Sequence, residues 1–196
     1  MKFKDIKNRL LDLGWKYKNI DGDKSFIRDI DEIQIQLLPY LDRLDKDTVK
    51  FSFLPSVSIL KFTEIQNYLM EEAVDFVPLV SRFGWCAPAI EKGAPPGKFH
   101  EINFEIFDFL LEESIEWAKY QNIDKALEYY AHLPTNSPGS APLGHLAALI
   151  IRKEVQTVLY YKNRFDAGDN LGFVPYITAD VITKAVNLIC QKQPAR

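Results

Sequence analysis

Between Trp15 and Ile59 apolar and polar residues alternate with a period of two, a pattern that few folds accept. Ile33, Ile35 and Leu37 interleave with Gln34 and Gln36, which puts the apolar set on one face of a pleated strand. Val49, Phe51 and Phe53 interleave with Thr48, Lys50 and Ser52, and Val57 and Ile59 continue the same phase. Pro55 falls inside that run and has no N–H to give a ladder, so it predicts a bend or a sheet edge. Trp15 and Tyr17 alternate with Lys16 and Lys18, and Asp21-Gly22 supplies a hairpin turn. Lys24 to Ile30 reads as a weaker strand, and Asp42 to Asp47 is polar enough to be a loop. The result is an antiparallel β-meander with one apolar face, which helices must cover.

Helical spacing flanks the meander. Phe3, Ile6, Leu10 and Leu13 define a helix over about 2–13, with Gly14 at the position a terminating glycine takes. Thr63 and Gln66 resemble a capping box opening a second helix. Its apolar face would be Ile65, Tyr68, Leu69, Ala73 and Phe76, and Pro78 would close it. Helix, meander and helix make a unit over 1–78. Residues 79–99 lose periodicity and, with Pro88, Gly93, Pro95, Pro96 and Gly97, read as an irregular connecting loop. Phe83, Trp85 and Ile90 suggest that this loop packs. Residues 100–196 form a helical subdomain expected to pack on the first. Its helices lie near 103–120, 124–133, 143–151, 155–167 and from Thr178 on, with a buried or bound apolar segment at Gly172 to Tyr176. The fold class is therefore α+β. Leu127 to Tyr130 and Ala141 to Leu143 resemble the openings of helical repeats, but neither recurs, so no array is predicted.

Hydrophobic content of 47% suits a globular chain. Cys86 and Cys190 make neither a disulfide framework nor a metal set, and the chain shows no apolar leader or spanning run. A reducing cytoplasm is the expected compartment, with no membrane. Net charge is −3, unevenly spread: residues 81–142 carry 5 bases and 9 acids, residues 143–196 carry 7 and 4.

The acids concentrate between Glu101 and Glu116, with six of them and no base. Glu105, Asp108, Glu112 and Glu116 recur at steps of three and four and share one helix face. Phe104, Phe107, Leu111 and Ala118 fall opposite. The stripe reads either as a solvated face whose acids suit the helix dipole or as a docking surface for a basic protein. Acid–base catalysis there would need burial or a like-charge clash to move a pKa. His100, His132 and His145 are scattered near predicted helix ends and read as surface or capping residues. Cys86 reads as a buried structural thiol. The run Gly93-Ala94-Pro95-Pro96-Gly97-Lys98 lacks phosphate-loop spacing. Trp15-Lys16-Tyr17-Lys18 could stack bases, but the charge balance argues against nucleic acid. No catalytic set, metal site or cofactor is predicted.

Four stretches carry a resemblance: Asp12-Leu13-Gly14-Trp15, Leu38-Pro39-Tyr40, Phe51-Ser52-Phe53-Leu54-Pro55-Ser56, and Leu171-Gly172-Phe173-Val174-Pro175-Tyr176-Ile177-Thr178. With the order of elements, the chain resembles small bacterial immunity proteins of contact-dependent growth-inhibition and related polymorphic toxin systems. The resemblance implies a cytoplasmic, non-enzymatic inhibitor. Such a protein binds the C-terminal toxin domain of a sister effector, a nuclease for choice, and blocks its active site as a 1:1 complex. No residue carries over individually. From charge alone, the contact residues are Glu105, Asp108, Glu112 and Glu116, and then Asp42, Asp45 and Asp47. The alternatives are a secretion chaperone of α+β type, expected as a dimer holding an unfolded client, and an enzyme of unassigned chemistry.

Overall fold

The computed structural model describes residues 1–20, 23–82 and 97–190. The Asp21-Gly22 turn, Cys86, the aromatic residues of 83–90 and most of the 93–98 glycine-proline run lie outside the described residues. The chain is α+β. Packing divides it into two compact units, one of residues 1–59 and 80–122, the other of residues 60–79 and 123–196. This partition differs from one break at 79–99: the helix after the meander belongs to the second unit and the long acidic helix to the first.

The first unit opens with α1 (Phe3–Asp12). Gly14 has φ +82, the left-handed conformation glycine adopts without steric cost. The amides of Gly14 and Trp15 close back on the carbonyls of Leu11 and Leu10 at 2.9 and 3.0 Å, a Schellman ending with Trp15 and Leu10 both buried. The sheet follows: β1 (Lys16–Ile20), β2 (Asp23–Ile30), β3 (Ile33–Arg43) and β4 (Val49–Ser58), all antiparallel neighbours in chain order. Two short strands flank β4, β5 (Val80–Ser81) beside Ser56 and Val57 and β6 (Gly97–Phe99) beside Val49 to Phe51. Pro55 lies between those two pairings. Its carbonyl accepts the Arg82 amide at 3.1 Å, so its missing N–H also faces away from β3 and costs no bond to that strand.

Register aligns Tyr17, Phe26, Leu37 and Pro55 across the sheet, and Leu41 and Pro39 opposite Phe51 and Phe53. That apolar face is covered from within the unit. Phe3 of α1 lies 6.5 and 6.4 Å from the Tyr17 and Phe26 rings. Phe107 of α3 (Phe104–Tyr120) packs edge-on to Phe53 at 5.4 Å and stacks on Phe51 at 6.4 Å. The other face is polar yet also buried at Ser25, Gln34, Ser52 and Ser56. Short hydroxyls make this possible by bonding within the sheet. Ser52 donates to the Phe53 carbonyl, and Ser56 to Ser81.

The second unit is helical: α2 (Leu60–Met70), α4 (Ile123–Ala131), α5 (Ala141–Arg152), α6 (Val155–Asp166) and α7 (Ala179–Cys190). The predicted capping box is not one. The α2 helix begins three residues earlier, and the Thr63 hydroxyl, inside it, accepts the Val77 amide at 3.1 Å. The helix also stops at Met70 rather than running to Phe76. Glu71 takes φ +56, and the Asn67 side chain bonds both the amide and carbonyl of Val74 to hold the returning segment. Helix α5 is the hub, packing on α2, α4, α6 and α7, and so is buried without break from Pro142 to Ile150. Gly144 is required there, since a Cβ would stand 2.7 Å from the Tyr130 ring. Lys153, at φ +60, turns the chain from α5 into α6. Phe173 is buried against Tyr161 and Phe165, as its apolar neighbourhood predicts.

Candidate functional site

The long helix α3 is started by Asn103, whose side chain accepts the Ile106 amide at 2.9 Å. Its inner face is Phe107, Leu111, Ser114, Trp117 and Ala118. Phe104, expected on that side, is instead 57% exposed, with the Arg9 guanidinium 5.9 Å from its ring centre.

The outward face keeps the acidic stripe but changes its meaning. Glu105, Glu112 and Glu116 are exposed, and Glu105 and Glu112 make no ion pair or hydrogen bond among the described residues. Asp108 is already taken: Arg9 of α1 holds it through two bonds of 3.3 and 2.9 Å. Glu116 meets Lys119 at 3.5 Å, an exposed pair worth little in water. Glu113, off the stripe, is bound by both terminal nitrogens of Arg82 at 2.8 and 2.5 Å. That guanidinium is 8% exposed and lies 5.8 Å from the Trp117 ring. Arg82, Glu113, Glu116, Trp117, Lys119 and Tyr120 line an open cleft of about 480 Å³.

Charge reading alone missed the aromatics. Phe109 is 67% exposed and Tyr120 63% exposed. Glu105, Phe109, Glu112, Glu116 and Tyr120 follow at steps of four, three, four and four, so the two rings sit within the acidic stripe. The same helical spacing that found the acids holds the signal for Phe109, an apolar residue on the polar face. Aromatic residues are enriched in protein interfaces relative to the rest of the surface.

The second candidate group sits at the end of the β3–β4 hairpin. Asp42 is the penultimate residue of β3, opposite Lys50 and within 3.4 Å of the Tyr40 hydroxyl. Asp45 accepts the Asp47 amide at 2.8 Å, and bonds from that amide and the Thr48 side chain hold its carboxyl below the usual carboxylate range. All three aspartates are exposed. The Asp47 carbonyl lies 3.0 Å from Nδ1 of His100, which joins the loop to the segment entering α3, five residues before Glu105.

His145 departs from expectation. It lies inside α5, 2% exposed, with Nδ1 2.9 Å from the Tyr130 carbonyl and Nε2 3.0 Å from the Tyr161 hydroxyl. A carbonyl only accepts, so Nδ1 carries the proton and Nε2 accepts from Tyr161. Burial, the dominant effect, lowers the imidazole pKa and keeps it neutral. Its two bonds tie α5 to Tyr130 of α4 and Tyr161 of α6. Among the described residues no three His, Cys, Asp or Glu side chains converge as a metal set, and no helix is long and apolar enough to cross a membrane.

Residues 2–190 match the sequence model of DUF6990, described as a family of unknown function. The chain belongs to that family. No curated protein and no solved structure matches it. In this DUF6990 chain the family match spans both compact units, including all of α3 and the β3–β4 hairpin.

Proposed function

We propose that this protein is a stoichiometric inhibitor of the immunity type, which binds a basic toxin domain through the outward face of α3 and covers its active site. The observation that carries the reading is the mixture on that face: Glu105 and Glu112, without an ion pair among the described residues, beside an exposed Phe109 and Tyr120. Fixed negative charge steers a basic partner and speeds encounter, while aromatic rings supply contact energy once the partner is seated. Burying a phenylalanine against a partner is worth about 1.5–3 kcal/mol, so Phe109 has affinity in reserve that a carboxylate alone lacks. The β3–β4 loop aspartates widen the negative field. The site of action would be the cytoplasm, where a nuclease toxin meets its substrate.

The test is co-expression with the C-terminal domain of a toxin encoded beside the gene, scoring growth, together with stopped-flow association of the purified pair. Expected results are growth rescue, a 1:1 complex, and an association rate that falls as salt rises from 50 to 500 mM, on the order of tenfold or more. Replacing Glu105, Glu112 and Glu116 together by Lys should remove most of that rate. Rescue unaffected by the triple reversal would displace the site. A dimer bound to an unfolded client would replace inhibition with chaperoning.

A further inference from the structure

We infer that a second cleft, between α1 and the start of α3, seats an arginine side chain of the basic partner, an inference that rests on the proposed function and deepens it. Asp5, Asn8, Arg9 and Asp12 lie on one side of α1 and, with Phe104, line an opening of about 470 Å³. The one base lining it among the described residues is committed: Arg9 is bonded to Asp108 at 3.3 and 2.9 Å, its guanidinium carbon 5.9 Å from the centre of the Phe104 ring. Asp5 accepts the Lys2 amide at 2.7 Å and no cation, and Asp12 has no ion pair among the described residues. Lys7, on α1 as well, is drawn away over the Tyr17 ring at 3.8 Å. With Arg9 held by Asp108, which is not part of the lining, the lining carboxylates Asp5 and Asp12 leave the cleft negative.

The cleft beside Trp117 makes the contrast. There Arg82 and Lys119 offset Glu113 and Glu116, so its sum is zero and it selects no sign of charge. The α1 cleft repels anions and offers a cation two things at once, an exposed aromatic ring and free carboxylate oxygens at its rim. Guanidinium fits better than ammonium because it lies flat on a ring while its edge donates to a carboxylate. Asp5 and Asp12 are separated by roughly 10.5 Å along the helix, so one head group engages one of them and a second basic residue would be needed for both. Phe104 and Asp108 belong to α3, which makes this opening continuous with the acidic face.

The experiment is fluorescence anisotropy on the whole chain with labelled hexa-arginine, hexa-lysine and hexa-glutamate. Hexa-arginine should bind most tightly and hexa-glutamate not at all. Asp12→Asn and Phe104→Ala should each weaken hexa-arginine about threefold and together about tenfold, with Asp124→Asn plus Glu128→Gln, two exposed acids of α4, changing it less than about twofold. The opposite ranking, or equal loss from both pairs, would mean diffuse attraction and overturn the seat. Should Phe104→Ala fold poorly, Asp12→Lys touches no buried group and repeats the test. A toxin domain neutralised equally by wild type and cleft variants overturns the seat and leaves the proposed function standing. Peptide binding lost in the cleft variants, with no toxin bound by wild type, removes the function and keeps the cation site.

Discussion

The buried imidazole of His145 gives the second unit a pH dependence whose sign follows from its bonds. In an unfolded chain the group titrates at 6.5, and burial lowers that value in the fold. Above pH 6.5 neither state holds the proton and the group is neutral in both. Below it the unfolded chain takes up a proton that the fold refuses. Stability therefore falls as pH drops, by at most about 1.4 kcal/mol per pH unit, and levels off once the folded pKa is passed. His145→Asn supplies the control. Its amide can donate to the Tyr130 carbonyl as Nδ1 does at 2.9 Å, but it cannot titrate, and it strands the Tyr161 hydroxyl now 3.0 Å from Nε2. At pH 7.5 the variant should be less stable by about 1–3 kcal/mol, the penalty for a buried polar group left unpaired. Urea unfolding followed by far-UV circular dichroism at pH 7.5, 6.5 and 5.5 reads both effects. Helix signal is the right probe, because Trp15 and Trp117 both lie in the other unit. The gap between wild type and variant should narrow as pH falls, since only the wild type loses stability through this site. Parallel pH slopes for the two proteins would refute the reasoning and mean that the folded imidazole accepts its proton as readily as the unfolded one.

Three further outcomes follow from the same packing. Phe107→Ala removes the ring that touches both Phe51 and Phe53 and should destabilise the first unit by about 3–5 kcal/mol in urea melts followed by tryptophan fluorescence. Gly14→Ala forces a Cβ into a left-handed residue at φ +82 with open space around it, so only backbone strain changes, and melts should show a loss of about 1–2 kcal/mol. Phe109→Ser alters a ring that is 67% exposed, so stability should stay within about 0.5 kcal/mol, while calorimetric affinity for the toxin domain drops by about tenfold.

Local pattern revealed what local forces decide. The α1 helix, its glycine ending, the meander strands and the span of α3 are legible as spacing and a terminating glycine, because each is settled within a few residues. The register-bearing face of the sheet was equally plain from Phe51, Phe53 and Val57. What stayed hidden depends on partners distant in sequence. Nothing near Phe107 announces that it rests on strand residues more than fifty positions earlier, so local spacing gives no sign that α3 packs on the meander. The bounds of α2 escape local pattern for a related reason. Thr63 has the residue type of a cap, but its hydroxyl is claimed by Val77. His145 looked peripheral because α5 is buried all round and shows no polar face to contrast with it. The acidic stripe was found by charge, whereas Arg9 neutralising Asp108 and the rings lodged among the carboxylates needed coordinates.

The interleaved course of the chain, 1–59 then 80–122 in one unit with 60–79 and 123 onward in the other, constrains how the molecule is made. A ribosome delivers the meander well before Phe107, so its phenylalanine-lined surface stands wet until the long helix emerges to roof it. In the same way α2 waits for α5 and α7, synthesised some eighty and a hundred and twenty residues later. Neither half can be excised by a single cut, and a nascent chain stalled near residue 100 would hold two unfinished cores at once.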